Sequence, residues 1–291
     1  MIRFDGKQSA ANALQALAET SELLLGKYGR RPCLNVVIAG DDYGSQRYVA
    51  SCEKNAMKAG IICHIIRLPN TTTEEQIIGQ IARLNQDPTV DGILVQMPLP
   101  KGIDANKVIQ TIHPDKDVDG ITDTNTVRLW KSRLNDYSRF CVPCTPRSVL
   151  RILHETNIPL DGKRVVVIGR SNIVGLPVSK LLLNENATVT IAHSHTQNLP
   201  ELLRQADIIV AAVGKARFVT ADMVKPGAVV IDVGINQDPL TGKLCGDVDT
   251  EQVASMCSMI TPVPGGVGPL TICSLMENTI DCYLRKYKPQ P

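Results

Sequence analysis

The sequence has few aromatic residues and no imbalance of charge. Phenylalanine, tryptophan and tyrosine make up 3% of the 291 residues, and 31 basic residues nearly match 29 acidic ones, which leaves a net charge of +2. A protein that binds nucleic acid usually carries a basic face, and a protein that binds single strands also carries aromatic side chains for stacking. We therefore expect no nucleic-acid partner.

The sequence also lacks segments that direct a chain to a membrane. No apolar run reaches the roughly 20 residues of a membrane-spanning helix, and the first residues, MIRFDGKQSAANALQ, contain no apolar signal core. The nine cysteines are an odd number scattered through apolar stretches, which is typical of reduced thiols and not of a disulfide framework. We expect a cytoplasmic protein without membrane association.

Short β-branched runs alternate with helical patterns along most of the chain. Buried strands are predicted at 34–40, 61–67, 92–97, 164–169, 187–192, 207–213 and 228–233. Helices are predicted at 43–59, 73–85 and 147–155. Apolar strands separated by helices predict parallel sheets that are covered on both faces.

The alternation stops between residues 114 and 146, where polar and turn-forming residues dominate. A loop of this length inside a compact enzyme is usually functional or connects two domains. We therefore predict an α/β protein with two domains joined near residue 140.

A strand, a glycine turn and a helix start follow one another over residues 165–177. Gly169 and Gly175 allow the backbone to approach a pyrophosphate, and the helix N-terminus is expected to offer free N–H groups. The spacing is not G-x-G-x-x-G, so the common dinucleotide fingerprint does not match. A turn that binds nothing is the alternative.

The end of the next strand bears on the choice of cofactor. An NAD site usually has an Asp or Glu about 20 residues beyond the glycine turn, whereas this strand ends in His193, Ser194 and His195. Arg170 is placed to pair with a ribose 2′-phosphate, with Ser194 as a hydroxyl donor. This pattern favours NADP over NAD, unless Arg170 is a solvated loop residue. The two histidines have no further ligand cluster, so we predict no metal.

One cysteine motif has redox or half-zinc spacing. Cys141-Val-Pro-Cys144 stands alone, without a second pair or a thioredoxin-like context, and such a motif is usually incidental.

Seven motifs, in order along the chain, closely resemble the methylenetetrahydrofolate dehydrogenase/cyclohydrolase family. They are VQMPLP (95–100), KDVDG (116–120), PCTP (143–146), the Gly169–Gly175 turn, DVGIN (232–236), GDV (246–248) and TPVPGGVGP (261–269). The resemblance extends from about residue 2 to residue 285.

The resemblance implies a fold, a reaction and an assembly. Residues 1–140 together with a C-terminal helix at 271–291 would form the folate-binding catalytic domain. Residues 141–270 would form a Rossmann-like NAD(P)-binding domain, with a cleft between the two. The family oxidises 5,10-methylenetetrahydrofolate to the methenyl form with NADP and then hydrolyses it to 10-formyltetrahydrofolate. Its members are typically cytoplasmic homodimers.

The resemblance also implies site residues. The catalytic set is Tyr48, Gln96 and Asp119, with Cys52 at the family's lysine position. The tetrahydrofolate derivative would contact Tyr48, Val95, Gln96, Pro98, Leu99, Asp119, Pro264, Gly265 and Gly266. The cofactor would contact Thr145, Gly169, Arg170, Ser171, Val174, Gly175, Ser194, Val213, Gly214, Gly234, Ile235, Gly268 and Thr271.

Cys52 is the main departure from the family pattern, because the Tyr-x-x-x-Lys motif here reads Tyr-x-x-x-Cys. Lys54 is six residues beyond Tyr48 and lies about 240° round a helix, whereas Cys52 lies about 40° from Tyr48. Cysteine is neutral where a lysine is a cation or a tuned base. We therefore expect dehydrogenase activity to persist and cyclohydrolase activity to be strongly reduced or lost. The alternative is that Cys52 is an inert thiol packed in the interior, with a purely structural role.

Two other functions stay open from the sequence. One is a different nicotinamide oxidoreductase with the same two-domain plan. The other is a folate-binding protein without catalysis. We prefer the enzyme because the cofactor motifs are nearly intact.

Overall fold

The computed structural model describes residues 1–136, 138–239 and 241–287. The strands are β1 (Ile2–Arg3), β2 (Cys33–Ala39), β3 (Ile62–Leu68), β4 (Gly92–Val95), β5 (Arg164–Ile168), β6 (Thr188–Ala192), β7 (Ile208–Ala211), β8 (Val229–Asp232), β9 (Asn236–Gln237), β10 (Leu244–Cys245) and β11 (Met259–Ile260). The helices are α1 (Gly6–Tyr28), α2 (Tyr43–Lys58), α3 (Glu74–Gln86), α4 (Ala105–Gln110), α5 (Asp123–Lys131), α6 (Cys144–Glu155), α7 (Gly175–Asn184), α8 (Leu199–Arg204), α9 (Thr250–Val253) and α10 (Gly268–Arg285).

The chain divides into two compact units. Unit 1 contains residues 1–10, 132–135 and 145–271, and unit 2 contains the described residues of 11–131, 136–144 and 272–287. The first ten residues belong to unit 1 because β1 pairs in parallel with β11. A two-residue strand has no periodicity from which that pairing is predictable.

Unit 1 is built on a six-stranded parallel sheet in the order β1-β11-β8-β7-β5-β6. Its central strands β7 and β8 are buried along their whole length. Val166, Ile209 and Val230 share one apolar cluster with Leu203 of α8, so this face of the sheet is covered by helix. This arrangement confirms the prediction of an α/β fold with a parallel sheet.

Unit 2 contains a three-stranded parallel sheet in the order β3-β2-β4. The central strand β2 and the strand β4 are fully buried. Ile77 and Ile81 of α3 pack on this sheet with Val37 and Ile93, and the side chains of Thr73 and Gln76 form a capping box at the start of α3.

Strand β3 was predicted to be buried, and that prediction is wrong. It lies at an edge of the sheet, and Ile62 is 43% exposed. The run is apolar like a central strand, but an apolar run by itself does not reveal whether a strand has one neighbour or two.

The segment 114–146 was predicted as a long polar loop, but it contains α5. The backbone N–H of Asn125 donates to Thr122 Oγ1 at 3.4 Å near the helix start, and Leu129 is buried. Too few apolar residues lie in this short helix to produce a periodic signal.

Among the described residues, no helix combines the length and the apolarity needed to cross a membrane. The nine cysteines are free thiols.

Candidate active site

Helix α2 carries the Tyr-x-x-x-Cys motif of unit 2. Asp42 caps the helix, because its carboxylate accepts from the N–H of Ser45 at 2.7 Å. Cys52 is on the buried face with Val49, whereas Tyr48 is half-buried beside it. The helix therefore holds the phenol at the edge of an apolar interior.

The thiol of Cys52 is fully buried, with 0% exposure. Burial raises its pKa to about 12, even though a hydrogen bond with Tyr48 acts in the opposite direction. The pKa of Tyr48 also lies well above its ordinary value, mainly because of burial and then because of Cys52, Cys144 and Asp119. Both groups are neutral near pH 7. The neighbours that raise the pKa of Tyr48 are two thiols, Cys52 and Cys144, and one carboxyl, Asp119, and these three carry no positive charge.

Neither the two lysines that follow Cys52 in α2 nor the buried Lys116 replaces the missing amine. Lys54 and Lys58 are on the exposed face of α2, as the helical spacing predicts. Lys116 is buried, but its Nζ donates to the carbonyls of Leu84, Asn85 and Asp87 at 2.7–2.8 Å. Lys116 thereby caps the C-terminal end of α3, so its role is structural.

The KDVDG turn positions Asp119. The carboxylate of Asp117 is buried and accepts from the N–H groups of Gly120 at 2.9 Å and Thr122 at 2.8 Å. A Cβ on Gly120, whose φ is +65°, would lie 2.6 Å from the backbone of Val142. The turn is thus shaped by a carboxylate on one side and by a close backbone contact on the other.

The pKa of Asp119 lies above its ordinary value. Burial and the neighbouring Asp117 raise its pKa to about 6, although a hydrogen bond with the thiol of Cys144 lowers it. A carboxyl group with this pKa is largely ionised at neutral pH and is able to accept hydrogen bonds from N–H donors.

Gln96 follows β4 and is half-buried. Its Nε2 donates to the carbonyl of Met97 at 2.6 Å, and the hydroxyl of Ser45 in α2 donates to the same carbonyl at 3.0 Å. Gln96 and Ser45 of α2 therefore share one acceptor, the carbonyl of Met97. The side-chain amide of Gln96 donates to that carbonyl and not to Tyr48 or Cys52.

The glycine turn of unit 1 is compact. Gly169 has a φ of +124°, and a Cβ there would lie 2.2 Å from the carbonyl oxygen of Ala212. A Cβ on Gly175 would lie 2.1 Å from the carbonyl oxygen of Gly169. Both positions require glycine because backbone segments approach one another closely.

The expectation that the start of α7 offers free N–H groups is wrong for its first residues. Val174 and Gly175 donate to Ser171 Oγ at 3.2 and 3.4 Å, and Leu176 donates to the carbonyl of Ser171 at 3.1 Å. Within the described chain, the N–H groups of 171–173 donate to no protein acceptor. These exposed amides, which follow the exposed Arg170 in the chain, suit an anion.

The end of β6 has no carboxylate, as read from the sequence. The N–H of His193 donates to Thr196 Oγ1 at 2.8 Å, and the N–H of His195 donates to Nδ1 of His193 at 3.2 Å. Ser194 and Arg170 are exposed. This edge of unit 1 fits a cofactor with a 2′-phosphate.

Two buried aspartates organise other loops of unit 1 that carry predicted cofactor contacts, and the sequence reasoning did not single out these two residues. The carboxylate of Asp247 accepts from the N–H groups of Val213, Gly214 and Lys215 at 2.6–3.1 Å and from Asn236 Nδ2 at 2.8 Å. Asp232 accepts from the N–H groups of Asp247, Val248 and Gly234, each at 2.9 Å. Asp232 lies in the DVGIN motif and Asp247 in the GDV motif, and this was the sequence signal from which their importance could have been predicted.

The remaining loop of unit 1 holds PGGVGP. A Cβ on Gly266 would lie 2.5 Å from the carbonyl oxygen of Pro262, and a Cβ on Gly6 would lie 1.8 Å from the carbonyl oxygen of Gly266. The glycines of this loop therefore allow its backbone to approach the backbone of Pro262 and of Gly6 closely. Pro264 is exposed and Gly265 is half-exposed.

The structure brings Tyr48, Cys52, Asp119 and Cys144 together in unit 2. Val95, Pro98 and Leu99 are in the same unit, whereas Pro264, Gly265 and Gly266 are in unit 1 with all the predicted cofactor contacts, which are Thr145, Gly169, Arg170, Ser171, Val174, Gly175, Ser194, Val213, Gly214, Gly234, Ile235, Gly268 and Thr271. Cys144, which was discounted as half of an incidental motif, contacts the Asp119 carboxyl.

Comparison with known proteins covers both units. The family model of the tetrahydrofolate dehydrogenase/cyclohydrolase catalytic domain matches residues 4–119, and that of the NAD(P)-binding domain of the same enzymes matches residues 143–287. The bifunctional protein FolD of Streptococcus pneumoniae is 52% identical over 281 residues, which cover 97% of this chain and 96% of that protein.

Two solved structures are similar over nearly the whole chain. The FolD enzyme of Campylobacter jejuni has a TM-score of 0.92 and 42% identity, covering 97% of this chain and 98% of the other. The FolD enzyme of Trypanosoma brucei, solved with NADP and an inhibitor, has a TM-score of 0.92 and 38% identity, with 99% of each chain covered.

Proposed function

Because the chain belongs to the tetrahydrofolate dehydrogenase/cyclohydrolase family, we propose that it oxidises 5,10-methylenetetrahydrofolate to the 5,10-methenyl form with NADP and that its catalysis of the hydrolysis that follows is strongly reduced or lost. The observation that carries the second half of this proposal is the neutral, fully buried thiol of Cys52 beside Tyr48. The intact cofactor motifs argue against a folate-binding protein without catalysis.

The oxidation depends mostly on position. NADP supplies the acceptor for a hydride from the methylene bridge, and the folate is left with a cationic methenyl bridge. Asp119 holds the pterin through its carboxylate, and the amides of 171–173 with Arg170 hold phosphate groups of the cofactor. None of these contacts requires a proton to move, so Cys52 does not prevent the reaction.

Hydrolysis has different requirements. Water must add to the methenyl carbon and lose both of its protons, of which one passes to a ring nitrogen as the bridge opens and the other is released. The thiol of Cys52, with a pKa of about 12, is a poor acid and a poor base near neutral pH. Tyr48 is also neutral near pH 7. Lys54 and Lys58 are exposed, and the amine of Lys116 is bonded to three backbone carbonyls.

A single reaction followed at two wavelengths tests the proposal. The wild-type enzyme should form one methenyl product for each NADPH, and the product should then hydrolyse at the uncatalysed rate. Cys52→Lys should accelerate hydrolysis at least tenfold over wild type, with NADPH formation as the check that the variant is folded. Cys52→Ala separates loss of the thiol from gain of the amine, and Lys54→Ala is the matched lysine control.

The opposite outcome is equally clear. If the wild-type enzyme hydrolyses the methenyl product as fast as it forms, and Cys52→Ala abolishes that hydrolysis, the thiol is catalytic and the proposal is wrong. If no NADPH forms from methylenetetrahydrofolate, the dehydrogenase assignment fails as well.

We further propose that the enzyme is a cytoplasmic homodimer. The family resemblance supports this assembly, and so does β3, a sheet edge with partly exposed apolar side chains. Light scattering on the purified enzyme should give twice the chain mass of 31.6 kDa. A monomer mass at micromolar concentration would exclude the dimer.

A further inference from the structure

Two buried thiols of unit 2 lie next to each other outside the active-site residues described above. Cys141 precedes α6 and Cys282 is near the end of α10. Their sulfur atoms are 3.4 Å apart, and each residue is 1% exposed. We call them the Cys141–Cys282 pair.

A guanidinium group completes this cluster. Nη2 of Arg285 lies 3.2 Å from Cys141 Sγ, and Nη1 lies 3.6 Å from Cys282 Sγ. Burial by itself raises the pKa of Cys141, but the hydrogen bond with Cys282 and the charge of Arg285 outweigh it and bring the pKa below its ordinary value. The pKa of Cys282 lies well above its ordinary value, because of its hydrogen bond with Cys141 and because it is buried.

The pairing differs from the one that the sequence motif suggests. Cys144 completes the Cys-x-x-Cys spacing with Cys141, but its sulfur lies 3.7 Å from the carbonyl oxygen of Val118 and contacts the Asp119 carboxyl. The neighbour of Cys141 is Cys282, 141 residues away along the chain.

We propose that the Cys141–Cys282 pair is a reversible oxidation site that closes to a disulfide on reaction with hydrogen peroxide. The thiolate of Cys141 attacks one peroxide oxygen, which forms a sulfenic acid and releases hydroxide. The sulfur of Cys282 then attacks the sulfenic sulfur and water leaves. Counting the proton that Cys141 gave up, two thiols and one peroxide yield one disulfide and two waters.

The geometry favours both steps. A thiolate beside a cation, with a second thiol already in contact, matches the charge environment of a reactive cysteine and the position of a resolving one, whereas the burial of both thiols differs from that pattern. A disulfide has an S–S distance of about 2.05 Å, so the sulfurs must approach by more than 1 Å. The oxidant is small and neutral, and it reaches the buried pair through local opening.

Closure of the disulfide acts on the Asp119 turn. Asn278 of α10 donates to the carbonyls of Val118 and Val142 at 2.7 and 2.9 Å. A Cβ on Gly120 would lie 2.9 Å from the carbonyl oxygen of Cys141. Since the segment 141–142 and the turn are in direct contact, a shift of Cys141 moves the turn, and we expect weaker folate binding in the oxidised enzyme.

Peptide mapping tests the chemistry. The reduced full-length enzyme is treated with a few equivalents of hydrogen peroxide, alkylated and digested without a reductant. The expected product is a cross-link between the Cys141 and Cys282 peptides that dithiothreitol removes. Cys141→Ser and Cys282→Ser should each abolish it, and Cys257→Ser, which changes a buried cysteine of unit 1, should retain it.

Arg285→Gln should slow formation of the cross-link at least fivefold, because the thiolate loses its cation. The oxidised wild-type enzyme should show a KM for methylenetetrahydrofolate at least three times that of the reduced enzyme, with the KM for NADP unchanged. Oxidation confined to the partly exposed Cys63, or a Cys141–Cys144 bridge, would overturn the site. A cross-link that leaves the folate KM unchanged would overturn its coupling to the Asp119 turn.

Discussion

At the scale of single residues, the chemistry of unit 2 depends on what surrounds each titratable group. Tyr48, Cys52 and Asp119 are all shifted toward their neutral forms, chiefly by burial. A lysine at position 52 would add a positive charge to this group and would oppose that shift for Asp119. Replacing it by a thiol therefore changes the acid–base character of the whole cluster.

Asp119→Asn should reveal the cost of this half-buried carboxyl. The folded protein holds the Asp119 proton up to about pH 6, whereas an unfolded chain releases it near pH 4. The contribution of this group to stability is thus fully present below about pH 4 and is lost as the pH rises through 6. We expect Asp119→Asn to raise the Tm by about 2–4 °C at pH 7.5 and to leave it unchanged at pH 4, while dehydrogenase activity falls.

Thermal unfolding at both pH values measures the effect. Asp123→Asn, an exposed carboxylate of the same segment, should change neither Tm. An equal change of Tm at both pH values for Asp119→Asn would contradict the pKa of about 6.

Arg170 is the residue on which cofactor choice should depend. It is exposed beside the amides of 171–173, and a guanidinium pairs strongly with phosphate. Arg170→Ala should lower kcat/KM for NADP by about 10- to 100-fold, or roughly 1.4–2.8 kcal/mol, and should change the value for NAD by less than threefold. Steady-state kinetics with both cofactors provide the comparison, with Arg204→Ala as the exposed-arginine control. Equal losses for NADP and NAD would place Arg170 at the pyrophosphate.

At the scale of elements, the loops of unit 1 are held in shape by hydrogen bonds from backbone N–H groups to buried carboxylates. Asp247 binds three successive N–H groups after β7 and the side chain of Asn236. A Cβ on Gly234 would lie 2.3 Å from its carboxyl group. One residue therefore sets the positions of two predicted cofactor loops.

Asp247→Asn should loosen both loops, because the amide NH₂ would face N–H donors that now have an acceptor. We expect a loss of about 2–4 kcal/mol in the free energy of unfolding, a rise of at least tenfold in the KM for NADP and less than a threefold change in the KM for folate. Asp249→Ala, which removes the side-chain cap of α9, controls for stability loss without contact to these loops. If the two variants raise the KM for NADP equally, Asp247 has no special positioning role.

At the scale of the whole molecule, the two units divide the predicted contacts. The predicted cofactor residues are in unit 1, and the cluster of Tyr48, Cys52 and Asp119 is in unit 2. We expect NADP alone to slow hydrogen exchange of the backbone amides in 169–175 and 213–215 and to leave 44–52 and 117–120 unchanged. Mass spectrometry of the exchanged peptides measures this, and protection of 117–120 by NADP alone would contradict the assignment.

Much of this organisation was predictable from the sequence, because it depends on local patterns. Strands β2, β5, β7 and β8 and helices α2 and α3 follow from β-branched runs, helical periodicity and caps, which act over a few residues. The family resemblance identifies Cys52 as the replacement of a lysine, and the orientation of Lys54 away from Tyr48 follows from spacing along one helix.

Other features depend on contacts between distant parts of the chain. The exposure of β3, the pairing of β1 with β11, the capture of the α7 amides by Ser171 and the anchoring role of Asp247 were decided by which backbone groups meet after folding. The same holds for the two cysteines near residue 142, since Cys141 meets Cys282 while Cys144 meets Asp119. Hydrogen bonds and burial act through space, so a local pattern identifies a residue that is able to act, and the tertiary structure decides on which group it acts.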